Sequence, residues 1–192
     1  MHGLRFTKSF PSHERKPTRI ARAAVDQSAP LYTKFSQPVY SLATQGTASS
    51  GGRGTLNLLT YASPIAIKPD RCFAIGLYLG TASYANMKAH RRGVLQVLGS
   101  RHISLFHLLG KTSARDIDKH AAIQTAGFRL QERYGIMTLE DAVSVMELEV
   151  VSDFLPCGDH DVVICRVESY ENFSEDAQDV LYTSALRTAG FQ

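Results

Sequence analysis

Three short stretches place side chains capable of chemistry where the backbone turns. Pro156-Cys157-Gly158-Asp159-His160 sets an acid–histidine pair directly before an alternating apolar run. An imidazole just after a turn either faces water or is delivered to a site, and the local pattern fits both. In Gly80-Thr81-Ala82-Ser83, two hydroxyls stand where an apolar run gives way to alanine-rich sequence. Free amides and the positive end of a helix dipole make such a junction a phosphate-binding candidate, with Lys88 a turn or more further on. An ordinary N-cap explains the same residues. The third stretch, Ser113 to Lys119, is polar and charged beside two apolar helical runs. By itself it reads as a solvated helix start with Ser113 as the cap.

Other chemistries are disfavoured by what the spacing lacks. The glycine-rich run 46–54 has neither the Walker lysine–serine pair nor G-x-G-x-x-G, and a strand follows it, so it reads as a hairpin turn. Histidines 90, 102, 107, 120 and 160 show no zinc-type spacing, so no metal site is expected. No G-x-S-x-G elbow occurs. Cys72, Cys157 and Cys165 are an odd number at no metal-like spacing, which points to a reducing compartment and to buried rather than catalytic thiols.

The 192 residues suffice for one domain with a substantial core. Residues 1–33 carry six Lys/Arg against two acids, a charge of +4, and the remaining chain sums to −1. The folded part therefore has no basic excess, and nucleic acid is not an expected partner. No apolar run approaches the roughly 20 residues that span a bilayer, so no membrane partner is expected. The basic, proline-containing residues 1–35 read as an extension, either an organellar transit peptide or an arm draped on the surface. The location expected is cytoplasmic, or an organelle interior if the extension is a transit peptide.

From residue 36 onward the texture is that of a folded domain. Strands are expected at 38–45, 55–63, 71–80 and 94–100, with a short apolar run at 63–70. The strand at 71–80 is apolar on both faces and should be central. Helical spacing covers 81–93, 102–111 and 114–127. The alternation from Val145 to 155 and over 160–171 predicts two paired strands across the Gly158-Asp159 turn. Residues 180–184 read as a terminal strand or a short helix. Many close strands with a few inserted helices make the fold mainly β with inserted helices, a small barrel.

The order of these signals resembles the flavin reductase-like family, the FMN-binding split β-barrel proteins. The resemblance covers roughly residues 37–185 and rests on TLNLLTYASPIAIKPD, GTASYANMKAHRRGVLQVL, GKTSARDIDK and MELEVVSDFLPCGDHDVVICRVESY, in that order. Ala114 and His120 depart from a glycine and an aromatic residue in one branch's version of the third motif. Pro64 and Pro69 stand apart where a double proline is common.

What the resemblance implies is a homodimer with FMN, or FAD, at or near the subunit interface, and NAD(P)H as hydride donor. An electron-accepting protein would be a further partner; the alternatives are an FMN-binding electron-transfer or flavin-storage protein without nicotinamide turnover, and a non-enzymatic interaction module on a split-barrel fold. Asn57, Thr60, Tyr61, Ala62 and Ser63 would line the isoalloxazine edge. Thr81, Ser83 and Lys88 would hold the phosphate tail. His160 would orient the nicotinamide, and Arg115 and Lys119, near the mouth, would meet the dinucleotide phosphates.

Overall fold

The computed structural model describes residues 34–48, 52–174 and 179–191. The extension expected over 1–35 therefore lies almost wholly outside the described residues, as does the centre of the glycine-rich turn.

Among the described residues, ten strands and four α-helices follow in the order β1 (Tyr40–Thr44), β2 (Thr55–Leu59), β3 (Ala62–Ala66), β4 (Cys72–Tyr78), α1 (Ala82–His90), β5 (Arg92–Val97), α2 (Phe106–Gly110), α3 (Lys119–Thr125), β6 (Leu130–Arg133), β7 (Ile136–Leu139), β8 (Ser144–Val150), β9 (Leu155–Cys157), β10 (His160–Asn172) and α4 (Thr183–Thr188). A 3-10 turn, Ser100–Leu105, leads into α2. The main sheet is antiparallel throughout, in the order β2-β1-β5-β8-β10-β4-β3, with β9 added against the start of β10.

That order carries a geometric consequence. β2 and β3 stand at opposite ends of the sheet, yet only Thr60 and Tyr61 separate them along the chain. Three extended residues span at most about 11 Å. The two ends of the sheet must therefore meet, so the sheet curls into a barrel left open between β2 and β3. This break also corrects the expectation of one strand over 55–63. TLNLLTYAS contains no glycine or proline to announce it.

Strand alternation fills both sides of the curl. Tyr40, Leu42, Ile75, Leu77, Leu95, Leu148, Val150, Val163 and Cys165 point inward, with Met87 of α1 among them. Ala43, Leu56, Val94 and Val145 point outward and are covered by Leu105, Phe106, Leu109, Ile123 and Leu186 and by Ile136 and Leu139 of β7. β1 is consequently buried along its whole length. The other end of the sheet has no such cover: Ile65 is 52% exposed, Ile67 74% and Leu155 54%. β4 is paired on both sides, as a central strand should be, but Ala74, Gly76 and Tyr78 face this uncovered side.

Several expectations shift in detail. Helix α3 begins at Lys119, not near 114. Ser113 makes a local turn, its Oγ accepting from the Arg115 amide at 3.1 Å, and Asp118 is the cap, accepting from the Ala121 amide. The expected pair of strands around Gly158-Asp159 is present, with Gly158 at φ +66°, but the first strand is interrupted at 151–154 between β8 and β9. At the chain's end both readings apply, since Val180 and Tyr182 form single bridges and α4 follows. The hairpin β6–β7 was not foreseen. Its two-residue turn is Tyr134-Gly135, both at positive φ, where Asn or Asp is the usual signal for the first position. Of the three cysteines only Cys165 is buried, and burial pushes its thiol up to about 12; Cys157 is exposed.

Candidate functional site

A cavity of about 480 Å³ opens at the seam where the sheet fails to close. Its walls come from five places: Asn57 and Leu58 of β2, Thr60 and Tyr61 at the break, Tyr78 and Gly80 to Ser83 across the end of β4 and the start of α1, Gly110 to Ala114 from the last residue of α2 onward, and His160 at the head of β10. Lys119 completes the lining. A smaller recess continues from it against Leu42, Leu59 and Leu77 of the barrel interior. Among the described residues the lining contains no carboxylate; of its two lysines, Lys111 holds its ammonium over the Phe106 ring at 5.7 Å and Lys119 is buried. The cavity is therefore biased toward an anion.

One end of the cavity is the N-terminus of α1. Thr81 caps the helix: its Oγ1 accepts from the Tyr84 amide at 3.1 Å and donates to the Tyr78 carbonyl at 2.9 Å. Ser83 is 2% exposed, and its hydroxyl has no hydrogen-bond partner among the described residues. A buried hydroxyl left unpaired costs roughly 1–3 kcal/mol, so its position in a cavity wall at a helix N-terminus marks it for a ligand.

The other end is aromatic. His160 packs between Tyr61, edge to face with ring centroids 5.2 Å apart, and Tyr78, tilted at 5.4 Å. Its Nδ1 is bonded to Asp159 Oδ1 at 2.7 Å, and that bond holds the Asp159 carboxyl below its usual range. The turn thus fixes the imidazole by its neighbour and leaves Nε2 with no hydrogen bond among the described residues. Tyr61 and Tyr78 are each about half exposed (50% and 51%), so flat apolar surface remains available beside the imidazole.

Lys119 corrects an expectation. It does not lie at the mouth but is 2% exposed, with Nζ donating to the Leu109 carbonyl at 3.0 Å, the Leu56 carbonyl at 3.2 Å and Asn57 Oδ1 at 3.4 Å. It fastens β2 to the end of α2, and with all three protons so engaged it is not placed to grip a dinucleotide phosphate. Burial pushes its ammonium down to about 8 from the usual 10.5. Between those values the unfolded chain holds more protons, so stability rises with pH. Cys165 opposes this above its ordinary 9, because the folded chain keeps that proton longer. The clean window is pH 8 to 9. There urea denaturation should show the wild type gaining about 1 kcal/mol relative to Lys119→Met. Equal slopes for the two would contradict the burial of a charged Lys119.

The structure thus brings Asn57, Thr60, Tyr61, Thr81, Ser83, Lys119 and His160 to one cavity. Ala62, Ser63, Arg115 and Lys88 are not in its lining. Ser63 is exposed, and Arg115 sits just beyond the lining residue Ala114. The Lys88 ammonium donates to the Tyr84 hydroxyl at 3.1 Å, a bond that raises its pKa, and lies over the Tyr84 and Phe154 rings. Sequence reasoning missed Tyr78, and it placed Gly80 and residues 110–112 in motifs without assigning them to the site. Tyr78 pairs with His160 across β4 and β10, a register that no local pattern announces. No group of three or more His, Cys, Asp and Glu side chains able to hold a metal occurs among the described residues.

A curled antiparallel sheet with a cavity at its open seam defines a split-barrel domain. Residues 32–190 match the flavin reductase like domain, and the chain belongs to that family. Solved structures share the fold. A putative flavin reductase from Haemophilus somnus superposes with a TM-score of 0.64 at 14% identity, covering 79% of this chain and 88% of that one. The styrene monooxygenase flavin reductase from Pseudomonas putida S12 gives 0.63 at 19%, covering 80% and 89%. An FMN-binding protein from Thermus thermophilus with bound p-hydroxybenzaldehyde gives 0.63 at 19%, covering 82% of each. None of the curated proteins matches the sequence.

Proposed function

We propose that this chain is a flavin-dependent oxidoreductase that holds FMN in the seam cavity and accepts hydride from NADH or NADPH. The observation that carries the reading is the convergence of four motifs, ordered but scattered along the chain, on one carboxylate-free cavity. Its size falls in the range of about 300–1,000 Å³ usual for small-ligand sites. The buried, unpartnered Ser83 hydroxyl at the α1 N-terminus fits a phosphate, which accepts hydrogen bonds and carries the charge the dipole favours. FAD fits the same donors.

Flavin, when bound, supplies the two-electron chemistry, and the protein's part is binding, orientation and exclusion of water. Ser83 and the first amides of α1 would hold the phosphate. Asn57, Thr60 and Tyr61, with Ala62 and Ser63 beyond them, would border the ring along the β2–β3 break. His160, fixed by Asp159 and wedged between Tyr61 and Tyr78, would present Nε2 and a flat face to the nicotinamide. Hydride transfer asks no proton of it. Arg115, next to the lining, is the remaining candidate for a dinucleotide phosphate, since Lys88 and Lys119 are engaged elsewhere.

The uncovered apolar side around Ile65, Ile67 and Leu155 suits a second copy of the chain, which would bury it and wall the site. Reduced flavin, or electrons from it, would pass to an acceptor protein in the cytoplasm or an organelle interior. No described helix is long and apolar enough to cross a membrane. Titrating the protein into FMN tests the binding part: fluorescence should change until one flavin is bound per chain. No saturable change with FMN, FAD or riboflavin would overturn it.

A further inference from the structure

Tyr84, Asp161 and Lys88 form a hydrogen-bonded chain that flavin binding does not itself require. Tyr84 follows Ser83 in the first turn of α1, and Asp161 follows His160 at the head of β10. The Tyr84 hydroxyl donates to Asp161 Oδ2 at 2.8 Å and accepts from Lys88 Nζ at 3.1 Å. Phe154 closes one side, edge-on to the Tyr84 ring at 5.9 Å. Asp161 is only 7% exposed, and Tyr84 is the side-chain partner its carboxylate finds among the described residues.

A buried carboxylate whose bond goes to a hydroxyl, with the Lys88 ammonium only beyond it, is a poor way to gain stability, because desolvation offsets much of the bond. Two apolar side chains of similar shape would hold α1 to β10 as firmly. What a short, directional bond adds is a fixed distance and orientation between the elements it joins. Here those elements end in Ser83 and His160, the two ends of the cavity. Since α1 is only nine residues long, a shift at its first turn moves Ser83 directly.

We propose that Tyr84 is a positioning residue: its bond to Asp161 sets the separation of Ser83 and His160, and so keeps the flavin, held by its phosphate at Ser83, in register with the nicotinamide that His160 meets. Neither side chain touches the ligand in this account. The proposal rests on the reading of the cavity as a flavin site. It also explains why Lys88 is turned away from the cavity, since its ammonium completes the Tyr84 hydroxyl's bonding.

The test compares Asp161→Asn, which keeps an acceptor for Tyr84, with Tyr84→Phe/Asp161→Leu, which replaces both polar ends. Thermal midpoint, FMN affinity, the visible circular dichroism of bound flavin, and kcat and KM for NAD(P)H-driven reduction are read on each. The double variant should keep its thermal midpoint and bind FMN within about threefold. Its flavin dichroism should change, and kcat should fall between about tenfold and a hundredfold, as expected when reacting groups lose alignment. Asp161→Asn should match the wild type in all four. A double variant with wild-type kcat and dichroism, or one whose losses merely follow a lowered thermal midpoint, would overturn the proposal. So would Asp161→Asn behaving as the double variant does. A wild-type chain that binds no flavin overturns the site reading, and this proposal with it.

Discussion

Ser83→Asp should weaken FMN binding at least a hundredfold while changing riboflavin binding only a few-fold. The substitution replaces a buried, unpartnered hydroxyl at the start of α1 with a carboxylate. A charge-assisted bond from Ser83 to phosphate is worth about 1.5–3 kcal/mol, and a second anion in the same place adds repulsion in a poorly solvated wall. Since about 1.4 kcal/mol is tenfold in affinity, the two effects together exceed two decades. Helix formation itself should survive, because acids are favoured in a first helical turn. Riboflavin, which lacks the phosphate, is the internal control. Parallel loss of both ligands in fluorescence titrations would mean that Ser83 shapes the cavity as a whole and does not face a phosphate.

His160→Ala should raise KM for the nicotinamide about tenfold or more and leave the FMN dissociation constant within about threefold. The imidazole is held at the cavity's aromatic end by Asp159, Tyr61 and Tyr78 and is remote in the chain from the Ser83 end. Edge-to-face ring contacts are worth about 0.5–1.5 kcal/mol each, and removing the imidazole also frees Tyr61 and Tyr78 to move. Both effects act on the partner that stacks there, not on the phosphate end. Steady-state kinetics with saturating FMN, paired with fluorescence titration, separates the two constants. Loss of FMN binding with an unchanged KM would reverse the assignment.

These two ends of the site were legible in the sequence to different depths. Hydroxyls at a strand-to-helix junction and a histidine after Gly-Asp are local patterns, and both reached the cavity. Their meeting was not local. It depends on the break at Thr60-Tyr61 sending β2 and β3 to opposite ends of the sheet, and nothing in TLNLLTYAS marks a break.

The lysines show the same limit. Lys119 looked like a surface cation because Asp116, Asp118 and Arg115 surround it in sequence. Its acceptors are carbonyls at 56 and 109 and the amide of Asn57, which no pattern near residue 119 reveals. Lys88 stands one helical turn from Tyr84, but the carboxylate that anchors the pair comes from Asp161, far along the chain. The barrel itself was readable because strand alternation is a short-period signal, and β6–β7 escaped because tyrosine occupies a turn position where asparagine is the usual cue.

On the proposed reading, the seam cavity holds flavin where NADH or NADPH can reduce it. Anaerobic addition of each nicotinamide to the FMN-loaded protein measures this directly through the flavin's visible absorbance. The absorbance should bleach stoichiometrically with at least one of the two, and recover when an oxidised acceptor is admitted. A flavin that stays bound and oxidised with both reductants would contradict it and leave a flavin-binding protein without nicotinamide turnover.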